Sequence, residues 1–175
     1  FLSLSGSIPR FYNSKCAHPP NTDRDISDIS SAYLSYFAEK SRPEIPFESF
    51  VDGDGVYVFH NFGSNNFTGT LQSMPIAPDW LEGNTIYAFF ASNNKLSGPF
   101  PGNLFEKCGE LTGMIVNISN NGFFGQIPAD IGTTCRSLKL LDVSENQITG
   151  TIPSSFGNLA SVVALDLIWI LFQGP

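Results

Sequence analysis

The sixteen residues from Leu138 to Pro153, LKLLDVSENQITGTIP, decide the fold of this 175-residue chain. Their closing part recurs in altered form at residues 4–9, 67–71, 96–101 and 124–128, and a truncated copy occupies 172–175. The glycines of the last five copies, at positions 69, 98, 125, 150 and 174, are 29, 27, 25 and 24 residues apart. This regular spacing predicts a stack of similar structural units rather than one folded core.

Four of the six copies combine an Asn with a short alternating apolar segment, and the first and last have Leu2 and Ile170 in its place. Asn65, Asn94, Asn121 and Asn146 stand four residues before the repeat glycines. Residues 116–119 and 141–144 alternate apolar and polar side chains, which predicts one short strand per turn of a coil, paired in parallel with the next turn. The Asn side chain then turns inward to bond the backbone of neighbouring coils, and the Gly permits the tight turn.

The period and the residue pattern resemble the plant-specific class of leucine-rich repeats. The resemblance implies an α/β-class, right-handed leucine-rich-repeat solenoid with a parallel β-sheet on its concave face. We divide the chain into a partial repeat (1–16), an acidic insert (17–56) and about five repeats, the last truncated (57–175).

The insert is the most distinctive departure from the period. It carries eight acidic and three basic residues, so that it supplies −5 of the net charge of −7. A structureless loop of this length is uncommon inside a compact protein, so we expect it to fold onto the solenoid. It resembles the island domain of plant steroid and peptide-hormone receptor kinases, which implies a role in the ligand site for Tyr33, Tyr36 and Phe37.

Four further stretches, at residues 33–40, 58–62, 65–71 and 100–105, are similar to the ectodomain of the receptor-like protein kinase two (Toadstool type) clade. This resemblance implies a signal peptide, further repeats, one membrane span and a cytoplasmic Ser/Thr kinase in the parent protein. Within these 175 residues there is neither a kinase signature nor an apolar run of the roughly 20 residues that span a membrane.

Two cysteines occupy equivalent places in adjacent coils. Cys108 and Cys135 each follow a repeat glycine by ten residues. Stacked strands lie about 4.8 Å apart, within the Cα separation that a disulfide requires, so a Cys108–Cys135 bridge is predicted, with two buried thiols as the alternative. Cys16 has no partner at its register, so it pairs upstream or is free.

Two glycosylation sequons, at Asn66 and Asn117, and the predicted disulfide favour the extracellular side of the plasma membrane.

Candidate chemistry is sparse. The Asp52–Gly55 stretch, DGDG, lacks the later ligands of a calcium loop and indicates a turn. His60 falls at an inward register, His18 is isolated, and no nucleophile motif is present. We therefore predict no enzymatic activity for this chain, no metal and no cofactor.

The charge balance excludes a nucleic-acid footprint, because the chain has 16 acidic residues and only 9 basic ones.

The expected binding surface is the row of outward positions on the strands, a curved parallel stripe of the kind solenoids use for partners. Phe90 and Trp169 are natural anchors there, unless the insert covers the first and a further repeat the second. The acidic character of this stripe and of the insert favours a basic peptide or a basic co-receptor surface as the partner. The outward positions are Asn61, Phe90, Ser92, Asn117, Asp142, Ser144, Glu145, Asp166 and Trp169.

Three functions compete. The leading hypothesis is the recognition of a peptide ligand or a co-receptor kinase by the ectodomain of a plant receptor-like Ser/Thr kinase in developmental signalling. The second is a secreted inhibitor of a pathogen cell-wall hydrolase, although that family has uninterrupted repeats. The third is a receptor-like protein without a kinase.

Overall fold

The computed structural model describes residues 5–6, 56–71, 85–168 and 171–172. The predicted insert lies outside these ranges except for Val56, which begins a strand. Tyr33, Tyr36, Phe37 and Trp169 also lie outside the described residues, so their predicted roles stay predictions. The same holds for Cys16, His18 and the turn at 52–55.

The described residues form a stack of coils with two parallel β-sheets. The five-stranded sheet has the order β10-β8-β6-β4-β2, and the six-stranded sheet has the order β1-β3-β5-β7-β9-β11. The strands are β1 (Ser5–Gly6), β2 (Val56–Asn61), β3 (Asn66–Gly69), β4 (Thr85–Phe90), β5 (Lys95–Pro99), β6 (Gly113–Asn117), β7 (Gly122–Gln126), β8 (Leu138–Asp142), β9 (Gln147–Gly150), β10 (Ala164–Asp166) and β11 (Leu171–Phe172). Between them lie the one-turn helix α1 (Ile131–Thr134) and the 3-10 helices Gly102–Phe105, Cys108–Glu110 and Ser154–Asn158.

The expectation of one strand per coil is wrong, because each coil contributes two. The second strand covers the extended residues around the repeat glycine, which pair with the same residues of the next coil. The first strand also ends earlier than predicted, at Asn117 and Asp142 rather than at Ser119 and Ser144. The apolar alternation nevertheless continues past the strand ends, because Ile118 and Val143 are completely buried.

Two residues per coil adopt positive φ and produce the bends between the sheets. The repeat glycines Gly69, Gly98, Gly125 and Gly150 have φ between 85° and 107°, a region that only glycine enters without steric cost. The residue before each repeat Asn has φ between 50° and 56°, at Ser64, Asn93, Asn120 and Glu145. Asn at two of these four positions fits its tolerance of the left-handed region.

One continuous apolar core runs between the two sheets. Equivalent positions of successive strands, Phe89, Val116 and Leu141, are fully buried and stack on one another. The next position in this series, Leu165 of β10, is 38% exposed, because among the described residues β10 pairs with β8 alone. Burial in this fold therefore requires a neighbouring coil on each side.

The repeat asparagines Asn65, Asn94, Asn121 and Asn146 form the asparagine ladder, which links the coils. Asn121 is representative: its Nδ2 donates to the carbonyls of Ile118 and Ser119 in its own coil and of Ala91 in the preceding coil, at 2.9–3.1 Å. Its Oδ1 accepts from the backbone N–H of Leu96 at 3.0 Å. Asn94 and Asn146 make the equivalent bonds one coil before and after.

His60 lies at the edge of the core, facing inward as its register predicts. Its Nδ1 is 3.1 Å from the Tyr87 hydroxyl, and its ring contacts those of Phe62 and Tyr87. Burial lowers the pKa of His60 below its ordinary value and raises the pKa of Tyr87 well above its own. The fold therefore prefers the neutral form of both side chains.

Replacement of Asn121 by Ala should destabilise the chain by about 3 kcal/mol, because buried backbone groups of two coils lose their partners. Urea unfolding followed by far-UV circular dichroism measures the change. Asn158→Ala is the matched control, since Asn158 is exposed and its Nδ2 makes one 3.3 Å contact with Thr133. Its expected effect is below about 0.5 kcal/mol. Equal effects of the two substitutions would contradict the structural role of the ladder.

Stability should fall as the pH drops below about 6.5, because the unfolded chain then gains a proton at His60 before the folded chain does. The contribution of His60 is fully present above that pH. His60→Gln should flatten this part of the pH dependence, as measured by urea midpoints between pH 5 and 8. An unchanged slope in the variant would show that other groups cause it.

Candidate partner-binding face

The face of the five-stranded sheet that points away from the core carries most of the predicted binding residues. We call it the outer face. Asn61, Phe90, Asn117, Asp142 and Asp166 stand opposite one another in register across five strands. These five residues form the terminal row, at the carboxyl ends of the strands.

Polar side chains of the terminal row hold the turns that follow the strands. Asn117 Oδ1 accepts from the Ser119 backbone N–H at 3.1 Å and from the Ser119 hydroxyl at 2.8 Å. Asp142 Oδ1 accepts from the same two groups of Ser144, at 3.1 and 2.7 Å. Asn61 and Asp166 likewise each accept one backbone N–H two residues on. The row is therefore positioned by local hydrogen bonds before any partner arrives.

Ser144, Glu145 and Ser92 lie beyond the strand ends. The expectation that Ser144 points outward is wrong: it is 2% exposed, because its hydroxyl turns back to Asp142. Glu145 lies in the positive-φ turn and is half-buried, as is Ser92. Neither contributes to the face of the sheet itself.

Two carboxylates, Asp142 and Asp166, are neighbours in the terminal row, and both are half-buried. Burial raises the pKa of Asp142, and the charge of Asp166 adds to this, against the hydrogen bonds from Ser144 and Ser119. Among the residues that the structure describes, no Lys, Arg or His makes an ion pair with either. This end of the row is therefore acidic and uncompensated.

The other half of the outer face is apolar and covered. Ile86, Ala88, Phe90 and Ile115 are only 1–7% exposed and cluster with the half-buried Leu140. Of the two alternatives for Phe90, an exposed anchor or a covered residue, the burial of its side chain excludes the exposed anchor. Every member of this cluster belongs to β4, β6 or β8 of the sheet itself.

An irregularity in β8 adds a cation that sequence reasoning did not single out. Met114 pairs with Leu138 and Ile115 with Leu140, so that Lys139 is an extra residue with no counterpart in β6. Its aliphatic stem lies over Gly113, and it is 7% exposed. The sequence signal is faint: Leu138-Lys-Leu140 replaces the Met114-Ile115 of the preceding coil.

Cys108 and Cys135 form a disulfide at the ends of helical turns, with a Cα–Cα distance of 4.9 Å. Both are completely buried in the core, and the Ser137 hydroxyl donates to the Cys108 carbonyl at 2.9 Å. The bridge therefore fastens two adjacent coils, away from the outer face.

The two sequons lie in different surroundings. Asn66 is in β3 of the six-stranded sheet, half-buried, with Thr68 exposed beside it. Asn117 lies in the terminal row between Phe90 and Asp142, with its Oδ1 bonded to Ser119. Asn117 was predicted both to bind a partner and to carry a glycan, and one copy of the protein cannot do both.

Within the described ranges, no cluster of three or more His, Cys, Asp or Glu side chains is arranged to hold a metal ion. None of the helices in these ranges has the length and apolar character needed to cross a membrane.

Comparisons with known proteins agree with this fold. Residues 137–159 match the family model described as Leucine Rich Repeat. Receptor-like protein 18 of Arabidopsis thaliana is 50% identical over 112 residues, which cover 64% of this chain and 12% of that protein. Receptor-like protein 53 of the same plant is 30% identical over 168 residues, covering 94% of this chain and 15% of that protein. The chain thus spans about an eighth of the length of these relatives.

A solved structure of the plant peptide hormone receptor RGFR1 in complex with RGF2 superposes with a TM-score of 0.51 at 29% identity, covering 65% of this chain and 17% of that one. The repeat fold, the family match and the plant relatives lead to the same conclusion. The chain has the leucine-rich-repeat fold and is similar over most of its length to plant receptor-like proteins.

Proposed function

We propose that the chain recognises a peptide ligand or a co-receptor through its outer face, as part of the extracellular region of a plant cell-surface receptor. The observation that carries this proposal is the half-exposed, uncompensated acidic end of the terminal row, held in place by local hydrogen bonds. A preorganised surface binds at a lower entropic cost than a flexible one. The peptide-hormone complex of the similar receptor RGFR1 supports a peptide as the ligand class.

The acidic insert at 17–56 is our candidate for the cover of the apolar half of the outer face. It leads directly into β2, which pairs with β4, and the buried outer residues are concentrated on β4. Its aromatic residues would suit an apolar sheet surface. In this arrangement the insert closes one half of the face and borders the open half at β8 and β10, where a ligand could touch both.

The finer parts of the hypothesis stay proposals. A cytoplasmic Ser/Thr kinase and a role in development rest on the resemblance to receptor-like protein kinase two. The relatives reported above are named receptor-like proteins, which favours keeping the kinase-less alternative. In either case signalling would proceed by bringing partner proteins together, because a rigid repeat stack provides no catalytic step.

Binding of peptides should depend on the open half of the outer face. A displayed library of random twelve-residue peptides would be selected on the secreted chain, and the affinity of the recovered peptides measured by surface plasmon resonance. Ala164→Trp fills the outer position beside Leu140 and should weaken binding at least about tenfold, or 1.4 kcal/mol.

Ser97→Trp is the matched control, because Ser97 is an exposed residue of β5 in the other sheet. It should change the affinity by less than about twofold, or 0.4 kcal/mol. Recovery of no peptide above background would contradict ligand recognition. Peptides that respond to Ser97→Trp and not to Ala164→Trp would move the site to the six-stranded sheet.

Glycosylation tests the extracellular location. We expect a glycan on Asn66, which lies away from the outer face, and an unmodified Asn117 in the binding-competent protein, because a glycan there would occupy the terminal row. Peptide-N-glycosidase treatment of the secreted protein in ¹⁸O water, followed by mass spectrometry, identifies the occupied sites. Full occupancy of Asn117 in protein that still binds peptides would exclude a ligand path across this row. If both sequons were unmodified, glycosylation would no longer support an extracellular location.

A further inference from the structure

We propose that the ligand of the open outer face is an extended peptide that carries both charges: a basic side chain paired with Asp142 and Asp166, and an acidic side chain paired with Lys139. This inference rests on the proposed function and specifies its ligand chemistry. It depends on two independent features of the strip that β8 and β10 form on the outer face. The acidic pair, Asp142 and Asp166, lies at one margin, the carboxyl ends of these strands. The extra residue Lys139 lies at the other margin, near the start of β8.

The irregularity in β8 places an extra side chain on the outer face. Ile86 pairs with Gly113, and Ile86 belongs to the outer cluster, so the open side of Gly113 also faces outward. The stem of Lys139 lies on this open side, where a Cβ on residue 113 would be 2.6 Å from its Cε. Both the added residue in β8 and the missing side chain in β6 are thus needed to accommodate the lysine. Such irregularities commonly redirect a side chain next to a functional site.

Lys139 has a packed stem and, within the described part of the chain, no partner for its charge. Among the described residues its ammonium group makes neither a hydrogen bond nor an ion pair, although more than nine tenths of the residue is buried. No buried side-chain nitrogen or oxygen there is left unsatisfied, so the ammonium retains contact with solvent while its stem is packed. A buried stem holds the charge in one place, which lowers the entropic cost of an ion pair with a ligand.

The two margins of the strip are separated by the length of a few extended peptide residues. The Cα atoms of Lys139 and Asp142 are three residues apart on β8, which corresponds to about 10 Å at the rise of a strand, and the Lys139 stem extends from there over Gly113 of β6. Leu140 lies between them on the outer face, and Ala164 stands opposite it on β10. An extended peptide that crosses this strip therefore meets a cation, an apolar floor and two carboxylates. Opposite charges at the two margins also fix the direction in which the peptide lies.

The strip offers conservative variants that should leave the fold intact. Asn117 occupies the register of Asp142 one coil earlier and makes the same two bonds to the serine that follows. Asp142→Asn therefore keeps these bonds and removes only the charge, and Asp166→Asn does the same at the next coil. Lys139→Met preserves most of the stem over Gly113. Lys95→Met, at an exposed position of β5, is the control for a charge lost elsewhere.

The test uses the random twelve-residue peptides selected on the full secreted chain. We expect the recovered peptides to carry both a basic and an acidic residue within one short segment. Lys139→Met and the Asp142→Asn/Asp166→Asn double variant should each weaken their binding by about tenfold, and Lys95→Met by less than about twofold. Urea midpoints of all variants, measured in parallel, separate lost charge from lost structure.

Double-mutant cycles with the peptide assign the contacts. Replacement of the acidic peptide residue by Gln should cost about tenfold against the native chain and nothing further against Lys139→Met. Replacement of the basic peptide residue should likewise cost about tenfold against the native chain and nothing further against the Asp142→Asn/Asp166→Asn variant. Recovered peptides that lack either charge, or additive losses in both cycles, would overturn the proposal while leaving peptide recognition itself intact. Recovery of no peptides at all would instead overturn the function on which the proposal rests.

Discussion

The hydrogen bonds of the asparagine ladder are the constraint on which the rest of the structure depends. Each coil makes two sharp bends, and a bend inside a packed stack leaves backbone groups away from both water and the sheets. One carboxamide per coil resolves this at the bend after the first strand, because Nδ2 donates to carbonyls of two coils and Oδ1 accepts from the second strand of the preceding coil. No aliphatic side chain can do so, and a carboxylate lacks the donors.

Much else follows from fixing the bends in this way. The strands of successive coils are forced into parallel register, and the positions after each strand become fixed turns rather than mobile loops. The terminal row benefits directly, because Asn117 and Asp142 already engage the serines beyond them. A partner that docks there meets side chains whose conformations are set by the fold.

The sequence alone predicts the features that every repeat shares, but it does not predict the features that occur only once. The coil period, the inward Asn and the stacking of Cys108 over Cys135 could be predicted because every copy obeys the same geometry. The second sheet was missed because its residues were interpreted as turn signals, although an extended segment before a positive-φ glycine pairs equally well with its copy. Lys139 was missed for the opposite reason: the irregularity of β8 has no repeat to reveal it. The sequence left open whether Phe90 is exposed or covered, because the burial of an outer position depends on contacts distant in sequence, which periodicity does not encode.

The distribution of charge bears on how a binding site can arise on a repetitive scaffold. Repeats by themselves produce uniform rows, and a uniform row cannot orient an extended peptide. Departure from the repeat is therefore where specificity can reside. The β8 coil adds Lys139, and carboxylates occupy the register of Asn117 in that coil and in the next one. The exchange of Asn for Asp leaves the turn hydrogen bonds intact, since an Asp accepts the same bonds from the following serine as an Asn does. The scaffold can thus exchange the charge of its surface residues without changing its bends, which is a physical reason why one fold can serve receptors with different ligands.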